Sequence, residues 1–308
     1  MFKNLVVYRL SALGGEPWGG TLTEVEDGLA KARFMPCGTT QPLSAGWVSP
    51  RHGDGGEGGM APLVESIGGQ WLMRLMVEQK VLPSAVVKRR VEELAKKSEQ
   101  ATGRKPGKRH AKELKEEAVL ALLPQAFTKQ ASVNVWMDTK AQLLVIDASS
   151  AKRAEEAATM LIQSLDGLAL RLVQTTLSPA AAMTAWLAGG EPPSCFSVDR
   201  ECELKSADEM KSVVRYARHP LDTDEVRAHV MAGGKQPTRL ALTWKGRVSF
   251  VLTDTLQIKK LSVDDGLFDA GSSRADEGFD ADAAIATGEL CQLIPDLVAA
   301  LDGELAPA

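Results

Sequence analysis

SVNVWMDTKAQLLVIDASS, residues 132–150, is the stretch on which the fold class turns. Val133, Val135 and Met137 alternate along it. Asp138 to Lys140 supplies turn residues, and the chain returns through Leu143 and Val145, which predicts an antiparallel β-hairpin. A helix follows at once: Ser150 is placed to cap it, and Ala154, Ala157, Ala158, Leu161, Ile162 and Leu165 form its apolar face, with Gly167 ending it. Working outward, FKNLVVYRL (2–10) and GQWLMRLMVEQKVL (69–82) read as strands that complete the same sheet.

Between those strands lies an insertion of different chemistry. The 308-residue chain is acidic, with a net charge of -4, yet Lys88 to Lys115 holds eleven Lys and Arg against four Glu. That local balance of 11 - 4 = +7 leaves -4 - 7 = -11 for the remainder. Pro83 and Ser84 start a helix with a narrow apolar stripe at Val87, Val91, Leu94 and Ala95. Gly103, Pro106 and Gly107 break it, and Ala111, Leu114, Ala118, Ala121 and Leu122 begin a second stripe that stops at Pro124. The pattern predicts a helical hairpin with Arg104, Lys105, Lys108, Arg109 and His110 at its tip and Lys88, Arg89, Arg90, Lys96, Lys97 and Lys112 on its shaft. A charged run on helices is often only a solvated face. Here the surplus has one sign, which i,i+4 pairing cannot absorb, and it stands on an acidic body, so the hairpin is a candidate phosphate contact.

The second half has its own sheet signal in TRLALTWKGRVSFVLTDTLQIKKLSV (238–263). Leu240, Leu242 and Trp244 alternate with Arg239, Ala241 and Thr243 up to a Lys245-Gly246 turn; Val248, Phe250 and Leu252 return, and Leu256 to Leu261 makes a third strand. One face is apolar, and Arg239, Lys245, Arg247 and Lys259 fall to the other, a surface suited either to water or to a nucleic-acid backbone. A final helix is expected behind a cap at Asp282 or Thr287, with Leu290, Leu293, Ile294, Leu297 and Val298 apolar. SPAAAMTAWLAGGEPPS (178–194) reads as a short helix and linker between the halves. The expected fold is therefore α+β: two mixed α/β halves with antiparallel sheets and an inserted helical hairpin. The divisions are a central region (1–82 and 124–178), the hairpin (83–123) and a base region (179–308).

Several motifs point toward enzymes and fail on context. GDGGEG (53–58) has the spacing of a dinucleotide loop but follows Pro50-Arg51-His52 in place of a strand and carries Asp54 and Glu57 where a pyrophosphate needs positive potential. GRKPGK (103–108) is one residue short of a P-loop and lacks the Ser or Thr after Lys108. Asp280 and Asp282 form a conceivable metal pair without a third ligand, and His52, His110, His219 and His229 have no partner that spacing identifies. No catalytic or metal residues and no cofactor are assigned. Cys37, Cys195, Cys202 and Cys291 stand apart, with neither disulfide-framework nor zinc spacing. No run approaches the roughly 18 apolar residues of a membrane span, and the N-terminus lacks a secretory pattern, so a cytoplasmic location is expected. Zinc-finger, RNP and basic-zipper signatures are missing, so any nucleic-acid binding is expected to be nonspecific.

Eight blocks in order along the chain carry a resemblance: FKNLVVYRL, FMPCG (34–38), GWVSP (46–50), KVLPS (80–84), ALLPQAF (121–127), WMDT (136–139), DASSAKRAE (147–155), and FDAD with TGEL (279–290). Together they resemble RdgC, the bacterial recombination-associated protein family. The resemblance implies a nucleoid-associated, nonenzymatic protein that closes as a ring-shaped homodimer around double-stranded DNA. It also implies that the protein restrains RecA-dependent recombination by occupying the duplex. It further implies that the hairpin is the family's finger or tip, that Phe127 is a hydrophobic ring-closing contact, and that Arg218 and His219 lie at a second subunit contact. A closed ring accounts for the charge: duplex DNA carries one negative charge per about 1.7 Å, so an acidic protein holds it by lining the inner path with cations.

Overall fold

The computed structural model describes residues 2–51, 61–206, 210, 212–264 and 275–305. The GDGGEG motif, His52 and most of the acidic 264–278 segment lie outside the described residues. The first half runs β1 (Leu5–Ala12), α1 (Leu22–Ala30), β2 (Leu43–Val48), β3 (Val64–Ile67), β4 (Gln70–Val81), α2 (Ser84–Thr102), α3 (Lys108–Leu122), β5 (Phe127–Asp138), β6 (Leu143–Asp147), α4 (Ala151–Ser164) and β7 (Leu168–Leu172). The second half runs α5 (Pro179–Leu187), β8 (Phe196–Ser206), β9 (Val213–Ala217), α6 (Asp224–Met231), β10 (Lys235–Trp244), β11 (Val248–Thr253), β12 (Ile258–Val263) and α7 (Ala275–Ala300).

The 132–150 hairpin forms as its alternation predicts. β5 and β6 pair antiparallel from Val135↔Ile146 to Asp138↔Leu143. Asp138 closes the turn, its Oδ1 accepting from the backbone N–H of Lys140 at 3.0 Å and of Ala141 at 2.9 Å. Ser150 caps α4, accepting from the Arg153 N–H. β1 pairs with β6 and β4 with β5, as expected of the two flanking strands.

The two halves do not hold separate sheets. All twelve described strands belong to one antiparallel sheet in the order β2-β4-β5-β6-β1-β12-β11-β10-β8-β9, with β3 added to β4 and β7 to β1. The join is narrow: Leu5 of β1 faces Ile258 of β12, while the other end of β1, Tyr8 to Ala12, pairs with β7. A pairing between residues 253 positions apart leaves no local signal in the sequence, which is why the sequence reading split the sheet.

The sheet is buried on both faces near this join. Val6, Tyr8, Leu144 and Ile146 point into a core roofed by α1 and α4. Their neighbours Leu5, Val7, Leu143 and Val145 point the other way into a second core shared with α5, α6 and α7. The unbroken apolar run Leu143–Ile146 is what a strand covered on both sides requires.

The last helix begins earlier than its predicted caps. α7 starts at Ala275, so Asp282 and Thr287 lie inside it, and Thr287 is buried with its Oγ1 donating to the Ala283 carbonyl at 2.8 Å. By length and hydropathy Gly278–Ala300 passes as a membrane span, which the sequence reading did not anticipate. Its row Ala283, Ala286, Leu290, Leu293 and Leu297 lies in the second core, as in a core helix. Thr253 and Leu256 make a turn, with Leu256 at φ 58°, so the third strand begins at Ile258 and not at Leu256.

Candidate nucleic-acid interface

The basic insertion grows directly from paired strands. β4 and β5 are in register from Trp71↔Met137 to Val81↔Phe127, and β4 leads into α2 while α3 leads back to β5 through a 3-10 turn at Leu123–Gln125. The helical hairpin is thus the connection of a long β-hairpin. At its root Lys80 Nζ donates to the carbonyls of Thr39 (2.6 Å) and Leu123 (2.9 Å). Beside it the buried Glu78 accepts from the Cys37 N–H at 2.7 Å and from Gln130 Nε2 at 2.9 Å. These bonds, the Cys37 backbone bond foremost, hold the Glu78 carboxyl below its ordinary range, and they account for the FMPCG block as a strap across the root.

α2 and α3 pack along one another, and at 1.5 Å per residue they reach about 28 Å and 22 Å. Only Val87, Leu114 and Ala118 are buried among their side chains. Gly103 ends α2 at φ 68°, a left-handed conformation that favours glycine. The tip is fastened by Ser98 Oγ to His110 Nε2 at 3.0 Å and by Thr102 Oγ1 donating to the Ser98 carbonyl at 2.8 Å.

The eleven cations divide sharply. Arg90 pairs with Glu93 at 3.0 Å, Arg109 with Glu113 at 3.4 Å and Lys112 with Glu116 at 3.9 Å, all within one helix. Lys88, Arg89, Lys96, Lys97, Arg104, Lys105, Lys108 and Lys115 have no carboxylate within ion-pair distance among the described residues. Three of these, Arg104, Lys105 and Lys108, stand at the tip. Exposed like charges repel one another, and the three remaining hairpin acids, Glu92, Glu99 and Glu117, offset only part of these eight; an anion from outside offsets the rest.

The base cations are placed differently from the sequence reading, which put Arg239, Lys245 and Arg247 on one face. Lys245 and Arg247 instead flank Trp244, with Lys245 Nζ 4.4 Å and Arg247 Cζ 5.1 Å from its ring. Both are held by α7: Lys245 Nζ lies 3.2 Å from Asp296, and Arg247 Nε 3.0 Å from Glu289, an ion pair without hydrogen-bond geometry. Trp244 Nε1 donates to Asp296 at 2.9 Å. The turn that joins β10 to β11 bends its cations toward the acidic side of α7, a long-range partner that alternation cannot reveal. Arg239 remains exposed on the opposite sheet face.

Phe127 is 87% exposed at the start of β5, opposite Val81, itself 46% exposed. Just past Val81 an open groove of about 900 Å³ runs between α2 and α3, lined by Leu82, Ala85, Val91 and Val119 and rimmed by Lys88 and Lys115. Arg218 and His219 follow β9, the terminal strand at the other end of the sheet. Arg218 is exposed with φ 56°, and the His219 ring lies 5.5 Å from that of Tyr216. Burial pushes the Tyr216 hydroxyl up to about 12, and it bonds Glu225 and His229.

Asp280 and Asp282 do not converge. Two residues apart on α7, their side chains point about 200° away from each other, and Asp280 accepts from Arg51 Nη2 at 2.7 Å. Among the described residues no cluster of three or more His, Cys, Asp or Glu is arranged to hold a metal.

Comparison with known sequences decides the family. A family model described as "Putative exonuclease, RdgC" matches residues 1–304. The chain belongs to the RdgC family. Among curated members of the RdgC family, the recombination-associated protein RdgC of Dechloromonas aromatica (strain RCB) is 45% identical over 313 residues, covering 100% of this chain and 99% of that protein. Its namesakes from Cupriavidus necator and Bordetella pertussis are 44% and 41% identical, each over 98% of both chains. The RdgC blocks found in the sequence fall at structural joints: KVLPS and ALLPQAF form the two legs of the helical hairpin, WMDT the β5–β6 turn, and DASSAKRAE the capped start of α4.

Proposed function

We propose that this RdgC-family chain is a nonspecific double-stranded DNA-binding protein, that two copies close as a ring around the duplex, and that it restrains RecA-dependent recombination and modulates replication-fork processing by occupying DNA. The observation that carries the reading is the set of eight unpaired cations on an exposed hairpin of an otherwise acidic chain. Cations in that arrangement contact phosphates and ignore base identity. A location in the cytoplasm, on the nucleoid, follows from the same role.

Ring closure by two copies requires contacts at two separated places. Phe127 and Arg218–His219 meet that need, because one stands on the third strand of the sheet order and the other follows the last. Exposure of a large aromatic beside an apolar groove supports burial against a second copy, with Phe127 of one protomer seated in the groove of its partner.

The description of the matching family model, a putative exonuclease, favours a second reading, an exonuclease. Incubating the chain with end-labelled duplex and Mg²⁺ separates the two. The expected outcome is a mobility shift that depends on salt but not on sequence, with the label retained in full-length DNA. Progressive shortening of the duplex, abolished by no contaminant control, would replace the binding reading with the nuclease.

A further inference from the structure

The sheet order ends at β9, and the outer edge of that strand is open. β9 pairs antiparallel with β8 from Lys205↔Val213 to Glu201↔Ala217. In such a ladder, opposed residues alternate between pairs that exchange both backbone bonds and pairs that exchange none. The Ser206 N–H donates to the Ser212 carbonyl at 2.9 Å, which puts the bonded pairs at Leu204↔Val214 and Cys202↔Tyr216. The N–H and C=O groups of Val213, Arg215 and Ala217 therefore point away from β8, and among the described residues none of them meets a backbone partner. All three side chains are exposed, that of Val213 in a residue 46% exposed.

The chain leaves β9 without covering this edge. Arg218, at φ 56°, turns it inward: the His219 N–H donates to the Arg200 carbonyl at 3.1 Å, and the His219 ring lies 5.5 Å from that of Tyr216, which belongs to the second core. The opposite terminal strand is treated differently. At Trp47 of β2 the carbonyl accepts from the Phe34 N–H at 3.0 Å and the N–H donates to the Ala32 carbonyl at 2.9 Å, so residues 32–34 close the edge there. Leu170 and Leu172 of β7 also lack an outer backbone partner, but β7 branches from β1 in the middle of the sheet order, where a contact cannot stand opposite Phe127 across a ring.

Soluble proteins avoid open strand edges because such edges recruit other strands. In a ring of two copies both contacts lie on one two-fold axis, so each must be self-complementary. Two copies of one edge strand meet that condition, since a two-fold axis between them makes their pairing antiparallel. One register joins all three outward residues, with Arg215 opposite the partner's Arg215 and Val213 opposite the partner's Ala217 on either side. Both backbone bonds are then exchanged at every one of these positions, and Val213 gains an apolar neighbour across the interface. The two guanidiniums, which would repel as direct neighbours, are each held by a carboxylate of their own chain, Arg215 Nε to Glu203 Oε2 at 2.6 Å.

We propose that β9 is the second closing surface of the ring and that its occupant is β9 of a second copy, paired antiparallel about Arg215 so that the two sheets run into one another. The proposal rests on the ring reading above and gives the contact at Arg218 and His219 a backbone frame. A single pairing of this kind uses both open edges, so it ends in a closed dimer and not in an open-ended stack.

The test is hydrogen exchange of the full chain, resolved to single amides, at concentrations below and above its self-association. The Val214 and Tyr216 amides, bonded to β8, should be protected throughout. Those of Val213, Arg215 and Ala217 should exchange freely in the monomer and slow about tenfold once about nine-tenths of the protein is dimeric, because only the remainder is open. Ala217→Pro removes one outward N–H, which an edge strand tolerates, and with one bond lost from each protomer should weaken the dimer on the order of 30-fold; Ala217→Ser, which keeps the N–H, should not. A dimer whose outer β9 amides stay unprotected, or one that Ala217→Pro leaves intact in a chain with an unchanged unfolding transition, overturns β9 pairing and leaves the ring to close elsewhere. Protection already complete in the monomer means that the chain covers its own edge, and overturns it equally. Absence of any dimer overturns the ring reading and this contact together. If Ala217→Pro does not fold, exchange of the wild type decides alone.

Discussion

Glutamine at Arg104, Lys105, Lys108 and Arg109 together is expected to weaken binding to every duplex sequence alike and to flatten its salt dependence. If each side chain meets one phosphate, the slope falls by about 3.6 per hairpin, four times 0.9. Near 0.1 M salt, one decade below the point where screening removes the contribution, that corresponds to a loss on the order of 10³-fold or more. Arg109, already paired with Glu113 at 3.4 Å, should contribute least, and the unpaired Arg104, Lys105 and Lys108 most. The fold should survive, because these residues lie beyond the buried contacts of α2 and α3 at Val87, Leu114 and Ala118. Titration by fluorescence anisotropy at several salt concentrations, beside a thermal melt, measures both. An unchanged slope removes the hairpin from the interface.

Substituting Phe127 is expected to act on association alone. Burying such a ring is worth about 2 kcal/mol, and in a two-fold contact each protomer contributes one ring, so Phe127→Ser should cost about 4 kcal/mol of dimer stability. By the rule of tenfold per 1.4 kcal/mol, this is close to 10³ in the dissociation constant. With 87% of its surface in water, Phe127 contributes little to the fold of one protomer, and the unfolding transition of the isolated subunit should stay where it is. Sedimentation velocity over a concentration series reads the dimer, and chemical denaturation reads the fold. A variant that dimerises normally places the contact elsewhere; one that unfolds shows the ring to be internal.

These two sites differ in how they were legible. The hairpin could be read almost completely from sequence, because helix spacing, the Pro83 start, the Gly103 stop and the charge excess are all local properties, and the helices occur where those signals stand. The β5–β6 hairpin and the Ser150 cap were legible for the same reason. Phe127 was not: an aromatic after Pro124 reads as core by composition, and only the resemblance to RdgC singled it out before its exposure was seen. What failed was long-range. The pairing of β1 with β12 merges two expected sheets into one, and the acids of α7 draw Lys245 and Arg247 away from the face that alternation assigned them. The start of α7 was misplaced because Asp282 and Thr287 look like caps. Thr287 instead satisfies its hydroxyl within the helix and leaves the apolar row uninterrupted.

Encirclement itself can be put to a topological measurement. Cysteines introduced across both proposed contacts, beside Phe127 and beside Arg218, allow the ring to be sealed covalently before or after DNA is added. A surface-bound protein leaves by losing phosphate contacts, which salt accelerates, whereas a sealed ring leaves only over a free end. Rings sealed after loading are predicted to remain on covalently closed circular DNA through a high-salt wash that strips them from linear duplex, and rings sealed beforehand to load on linear DNA but not on circles. Equal loading of presealed protein on both, with equal release by salt, would contradict the ring and leave a basic hairpin that touches one side of the helix.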